Sequence, residues 1–225
     1  MLLVLNLLIM TKKDVAIIGG AFDPIHIGHM QMTKYLIDNC IVDEVWLLPS
    51  YNSPLKDFNS MTSFSDRVAM LNIAIKGISA VYVNTFEEEY YKNNECQKTY
   101  TYEILKAMQK KYLNLRFHFV IGFDSIKNIN KWYRFKELLN DFWFYVFDRK
   151  DDEFLTYEQK NIYLKSLGKK YKIDFIYEMM PTKIEDISST QIRKLLKNRD
   201  QNKENILKFI DENVYKYIET NNLYV

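Results

Sequence analysis

The sequence predicts an α/β fold with a doubly wound parallel sheet, and three observations carry that prediction. Short runs such as residues 14–18 and 142–147 are almost continuously apolar, which suits strands covered on both faces. Between such runs stand segments with apolar residues at helical spacing, so strand and helix alternate along the chain. No internal repeat or low-complexity linker divides the 225 residues, a length suited to one domain. Residues 14–225 are therefore expected to form one domain, after an extension over residues 1–13. Right-handed crossovers would leave a crevice at the carboxyl ends of the strands.

The elements follow in order. The strand at 14–18 closes on Gly19 and Gly20, and residues 27–39 carry Ile27, Met30, Tyr35 and Leu36 on compatible helix faces. A second strand over 44–48 stops at Pro49. Residues 50–63, rich in Ser, Asn and Pro, read as an exposed loop of the kind that binds ligands. Val68, Leu71 and Ile75 give helical spacing to residues 64–76, with Ser63 or Ser65 as cap, and a strand follows at 80–84. Residues 99–111 read as helix and 116–121 as strand, and a short helical stretch with Trp132 and Leu138 leads to the strand at 142–147. A helix over 158–167, a strand over 173–177, a loop with Pro181, a helix over 190–197 and one long helix over 202–220 complete the pattern. Glu87, Glu88 and Glu89 and the lysines near Gly168 read as solvated surface.

Hydrophobic residues at 48% and charged residues at 27% exclude wholesale disorder and a multi-span membrane protein. Lys and Arg number 31 against 29 Asp and Glu, so no global field draws the chain to nucleic acid or an anionic membrane. Any anionic ligand must be held locally. Cys40 and Cys96 are too few and too far apart for a disulfide framework or a zinc site, and read as two buried thiols in a reducing, cytoplasmic compartment. Residues 1–10 are nearly all apolar, yet no basic stretch precedes them and no small-residue cleavage site follows. A spanning helix needs about 20 apolar residues. An extra strand or helix, or a start at Met10, are the readings left, and a minor extension is expected there.

Two of the three histidines lie in one segment, Gly19-Gly20-Ala21-Phe22-Asp23-Pro24-Ile25-His26-Ile27-Gly28-His29. It leaves a strand through two glycines, which let backbone approach a ligand, and enters a helix whose free amides and positive end suit phosphate. Pro24 fixes the turn, and Asp23 is a candidate cap or turn acceptor. His26 and His29, three residues apart, can reach one side of the first helical turn, with Gly28 leaving room for a base or phosphate. Zinc is the competing reading, but no third ligand lies nearby in sequence. His118, between Phe117 and Phe119 in a strand pattern, reads as structural.

A second segment, Ile187-Ser188-Ser189-Thr190-Gln191-Ile192-Arg193, also crosses from loop to helix. Its hydroxyls and amides can meet phosphate while Arg193 adds a cation one turn later; ordinary caps with a surface arginine are the bland alternative.

The two segments together resemble the H-x-G-H nucleotidylyltransferase superfamily, whose motifs G-G-x-F-D-P-x-H-x-G-H and I-S-S-T-x-I-R are matched at Gly19 to His29 and Ile187 to Arg193. Within it the chain is similar to the nicotinate-mononucleotide adenylyltransferases from Val15 to Tyr224. Further landmarks are Pro49 to Lys56, Thr99-Tyr100-Thr101, Val120 to Asp124, and Trp132-Tyr133. Ser53 and Leu55 depart from the family loop, so only Pro54 and Lys56 carry over, and residues 87–95 have no clear counterpart.

This resemblance implies a Rossmann-like nucleotidylyltransferase fold and transfer of AMP from ATP to nicotinate mononucleotide, with deamido-NAD and pyrophosphate as products. It implies catalytic roles for His26, His29 and Arg193. ATP would be bound by Gly19, Gly20, Ala21, Phe22, His26, Gly28 and His29, and by Ile187, Ser188, Ser189, Thr190 and Arg193. The mononucleotide would meet Lys56, Thr85, Tyr100, Gly122, Asp124, Trp132 and Tyr133, its carboxylate facing backbone amides near Thr85 and Trp132. Trp132 has core packing as its alternative. Mg²⁺ would be held mainly by ATP phosphates, with no metal ligands from the chain. Homo-oligomerisation is left open. Alternative readings are an adenylyltransferase for nicotinamide mononucleotide or phosphopantetheine, and a non-catalytic nucleotide-binding protein.

Overall fold

The structure is a computed structural model that describes residues 12–52, 61–94, 98–149 and 155–225. Strands β1 (Lys13–Gly20), β2 (Glu44–Pro49), β3 (Val81–Val83), β4 (Leu115–Gly122), β5 (Trp143–Arg149) and β6 (Tyr177–Ile184) form one parallel sheet in the order β3-β2-β1-β4-β5-β6. Ile17 of β1 stands beside Trp46 of β2 and Phe119 of β4. The order reverses between β1 and β4, so their carboxyl ends flank the topological switch point, where open α/β sheets bind ligands.

The continuous apolar runs have a direct cause: side chains alternate, and both faces are covered. Ala16 and Ile18 face a layer formed by α1 (Ile27–Asp38), α2 (Phe64–Ala74), α8 (Ser189–Leu196), α9 (Arg199–Leu207) and α10 (Glu212–Thr220). Val15 and Ile17 face a layer formed by α3 (Phe86–Asn94), α4 (Thr101–Lys111), α5 (Phe123–Ile126), α6 (Phe135–Asp141) and α7 (Tyr157–Tyr171). Fully buried anchors such as Leu36, Leu71, Leu105 and Leu164 each contribute about 1.5–3 kcal/mol. The expected doubly wound sheet is what the chain forms. Ser63 is the cap of α2, its hydroxyl accepting from Asp66 N.

Several boundaries differ from expectation, each for a local reason. The last strand covers Tyr177–Ile184 rather than 173–177, and Pro181 lies inside it. β6 is an edge strand with a register shift opposite Val146 and Asp148, so a missing N–H is tolerated there. Ile173 instead closes α7, its N–H donating to Gly168 O (3.1 Å). Helix α3 was not expected: it is mostly polar, and Phe86 N is capped by Asn84 Oδ1 (2.9 Å).

The long final helix is two helices. Asp211 starts α10 by accepting from Asn213 N and Val214 N, while Phe209 O in the intervening turn accepts from Ile27 N (2.7 Å) at the start of α1. Cys40 is exposed beyond the end of α1 rather than buried, and Cys96 lies outside the described residues, as do residues 1–11. Among the described residues no helix is long and apolar enough to cross a membrane.

Candidate active site

The segment leaving β1 is a turn whose carbonyls are tied by four bonds to three other parts of the chain, the residue after β2, α2 and α8. Gly20 O accepts from Ser50 N (2.8 Å), Ala21 O from Arg67 Nη1 (2.7 Å), Asp23 O from Arg193 Nη1 (2.6 Å) and Pro24 O from Ser189 Oγ (2.8 Å). In a trans peptide the carbonyl and the following N–H point in opposite directions. Pinning Gly20 O and Ala21 O therefore turns the Ala21 and Phe22 amides away from Ser50 and Arg67, and both residues line a cleft. Phe22 holds a left-handed backbone (φ 49°) with its ring buried.

His26 precedes the first residue of α1 and His29 lies in its first turn, their ring centroids 3.8 Å apart. His26 N donates to His29 Nδ1 (3.4 Å), which leaves the neutral ring's proton on Nε2. Phe22 packs its ring against His29 at 4.8 Å. Gly28 has a use beyond the one expected. A Cβ there would lie 3.2 Å from the His26 ring and 3.4 Å from Glu185 O, so the absent side chain also seats His26. The expected free amides of α1 are also partly spent: Ile27 N bonds Phe209 O, and His29 N bonds His26 O (3.0 Å).

The second segment docks directly onto this turn. Ser188 caps α8 in a reciprocal pair with Gln191, so its hydroxyl serves the helix. Ser189 donates to Pro24 O, and Arg193 bonds Asp23 O with Nη1 and Thr190 Oγ1 with Nη2 (3.2 Å). Ile187 is buried beneath. Asp23 is not a local cap. Its carboxylate is buried, accepts from Tyr224 Oη (2.8 Å) and has Oδ2 3.7 Å from Arg193 Nη1.

Both segments line one cleft of about 720 Å³ at the switch point, to which all twelve residues expected around ATP contribute. Gly122 at the end of β4, with Asp124 and Trp132 beyond it, lines its other side. A Cβ on Gly122 would meet Asp124 Oδ1 at 2.4 Å, so this glycine admits the folded-back carboxylate. Trp132 is half-buried, edge-on to Phe119 at 6.2 Å, so its ring both packs and faces the cleft.

The remaining expected residues fall elsewhere. Lys56 lies outside the described residues. Thr85, Tyr100 and Tyr133 do not line the cleft; the rings of Tyr100 and Tyr133 pair at 4.4 Å, and Thr101 takes the lining position. Trp132 N donates to Ile129 O (2.9 Å), so this amide is not the carboxylate donor expected near it. Ser125 and Asn128 also line the cleft, with no motif to announce them.

Two charged residues behind the cleft escaped the sequence. Arg67 is fully buried, with Nε donating to Thr62 O (3.1 Å), and desolvation holds its pKa below the usual arginine value. Glu87, expected at the surface, is buried; it accepts from Thr99 Oγ1 and from Tyr51 N (3.0 Å). Burial pushes its carboxyl above the ordinary range. Thr99 N in turn donates to Asn52 O (3.0 Å), so Glu87 knots the loop after β2 to the lead-in of α4. His118 is structural, its Nε2 2.6 Å from Asp14 Oδ1 within the sheet.

Comparison with known proteins agrees with this geometry. A cytidylyltransferase-like family model matches residues 17–195, which spans both docked segments. A probable nicotinate-nucleotide adenylyltransferase of Clostridium kluyveri is 33% identical, covering 96% of this chain and 100% of its own length. Its counterpart from Bacillus cytotoxicus is 30% identical, covering 94% and 98%. Among solved structures, Plasmodium falciparum nicotinic acid mononucleotide adenylyltransferase complexed with NaAD superposes with a TM-score of 0.76 at 26% identity, over 94% of this chain and 97% of that one. The chain belongs to the cytidylyltransferase-like family and, within it, to the nicotinate-nucleotide adenylyltransferases.

Proposed function

We propose that this protein transfers AMP from ATP to nicotinate mononucleotide, giving deamido-NAD and pyrophosphate. The observation that carries this reading is the docking of α8 onto the histidine turn, which joins two imidazoles, a guanidinium and inward-facing amides in one cleft. The relatives' names and the NaAD complex of the P. falciparum structure support the choice of acceptor.

An oxygen of the acceptor's 5′-phosphate attacks the α-phosphorus of ATP in line. A new P–O bond forms as the bond to the bridging α,β-oxygen breaks, and pyrophosphate leaves with that electron pair. The nucleophile is already an anion, so no general base is required. Protein groups align two anions and offset the charge that develops between them. His26 and His29 donate to the α- and β-phosphate region, and Arg193 supplies fixed charge beside them. Lys56 adds a second cation from the loop after β2. The Ala21 and Phe22 amides and the start of α8 cradle the phosphates.

Among the described residues no three His, Cys, Asp or Glu side chains converge to hold a cation, and Asp23 is engaged by Tyr224 and Arg193. Mg²⁺ carried mainly by ATP oxygens and water supplies charge neutralisation when bound. On the acceptor side Trp132 stacks on the pyridine ring and Asp124 bonds a ribose hydroxyl near Gly122, with Thr101 lining the cleft in place of its neighbour Tyr100. Thr85 remains the backbone donor proposed for the nicotinate carboxylate. An amide in that place would set its own NH₂ against the donor, at a cost of about 1–3 kcal/mol.

Pyrophosphate release from ATP, measured with nicotinate mononucleotide, nicotinamide mononucleotide and phosphopantetheine, tests the reading. Higher kcat/KM with the nicotinate form is expected. Preference for another acceptor, or no release with any of them, overturns it.

A further inference from the structure

We infer that Tyr224 is a positioning residue for adenylyl transfer, acting through Asp23 to keep the Arg193 guanidinium available to phosphate. This rests on the reading above. Tyr224 stands beyond α10, 201 positions along the chain from Asp23, yet its hydroxyl donates to Asp23 Oδ1 at 2.8 Å. Its seat is built. Leu223 N bonds Ile218 O (3.0 Å), Leu223 O accepts from Arg199 Nη2 (3.2 Å), and Asn222 and Tyr224 both hold left-handed backbone, φ 48° and 63°. Such conformations cost free energy for residues other than glycine and persist only where surrounding contacts hold them.

The consequence lies in how Asp23 meets Arg193. A carboxylate with both oxygens free closes on guanidinium through two parallel bonds, which would turn the fork from the cleft and offset its charge. Here the Tyr224 hydroxyl occupies Oδ1, leaving Oδ2 3.7 Å from Nη1, a loose contact. Arg193 is hydrogen-bonded instead to neutral acceptors, Asp23 O and Thr190 Oγ1, and lines the cleft with its charge only loosely offset by the Asp23 carboxylate. Burial and the adjacent Asp23 push the Tyr224 phenol well above its ordinary range, so it stays a donor. Asp23 itself is 1% exposed, at the wall of the cleft, and acts through Arg193.

Tyr224→Phe removes one hydroxyl and keeps the ring. The test is a double-mutant cycle of Tyr224→Phe with Asp23→Asn, reading pyrophosphate release while each substrate is varied. Tyr224→Phe is expected to raise KM for ATP about tenfold and leave KM for the mononucleotide within about twofold. Beside Asp23→Asn, whose neutral amide has one acceptor oxygen and cannot close on Arg193 as a carboxylate does, the same change should cost less than about twofold. Wild-type kinetics in Tyr224→Phe, equal cost in both backgrounds, or a parallel rise in both KM values overturns the inference. Arg193→Lys, which lacks the fork, replaces Asp23→Asn if that variant does not fold. A wild-type protein that releases no pyrophosphate sinks the adenylyl-transfer reading instead. In that case the ATP-induced shift in melting temperature of the same variants still reports on Tyr224.

Discussion

At His29 the burden on one side chain can be sized. Its ring packs between Phe22 and His26, and Nδ1 accepts from His26 N, so its remaining donor is fixed in direction before substrate arrives. His29→Ala should remove about 3 kcal/mol of transition-state stabilisation, hence roughly a hundredfold in kcat. The melting temperature should stay near wild type, because His29 is only half-buried. Near-normal turnover in a pyrophosphate assay would remove the histidines from the mechanism. The residues of this half of the site were legible because they are neighbours in sequence: eleven consecutive positions hold both histidines and both glycines of the turn. Tyr224 and Arg67 carried no such signal. Each reaches the turn across a long stretch of chain, and a buried arginine on α2 has the same local pattern as a solvated one. The Trp132 amide misled for a related reason, since only the three-dimensional turn reveals that Ile129 O already takes it.

Among the elements, five of the six strands were readable, the edge strand β3 included, and only β6 at the other edge was not. β1 and β5 announce themselves as nearly continuous apolar runs and β4 as one interrupted by His118, whereas β6 carries a proline and alternates toward solvent. Helix α3 was hidden by its polarity: its fold depends on Phe86 and on Glu87, whose carboxylate reaches inward to Thr99 and Tyr51. That buried acid makes a prediction for the element it anchors. Its folded pKa is raised above the unfolded value of about 4.3, so the protonated form favours folding. Stability from this group is fully present below the unfolded pKa and is lost as pH rises through the folded one. Glu87→Gln keeps an acceptor for Thr99 and does not titrate. Its melting temperature relative to wild type should therefore climb as pH is raised from about 4 to about 7. A difference that stays flat across that range would mean Glu87 is ionised at little cost.

For the molecule as a whole, the decisive feature is that the cleft opens where the sheet reverses direction, so ligand contacts come from both helical layers. The turn after β1 and α8 belong to the layer containing Ala16 and Ile18, while Trp132 packs with the layer containing Val15 and Ile17. One sheet lies between them, and neither layer has a core that excludes its strands. Unfolding should accordingly be a single transition, with tryptophan fluorescence from Trp46, Trp132 and Trp143 coinciding with far-UV circular dichroism. ATP at about 100 times its dissociation constant adds about 2.7 kcal/mol to the folded state. For a chain of this size that corresponds to a rise of about 5–10 °C in melting temperature. Because the triphosphate is held by the histidine turn and α8 together, both probes should rise by the same amount. If fluorescence and dichroism separate on adding ATP, the nucleotide stabilises one layer without the other, and its seat is not the junction that the strand order creates.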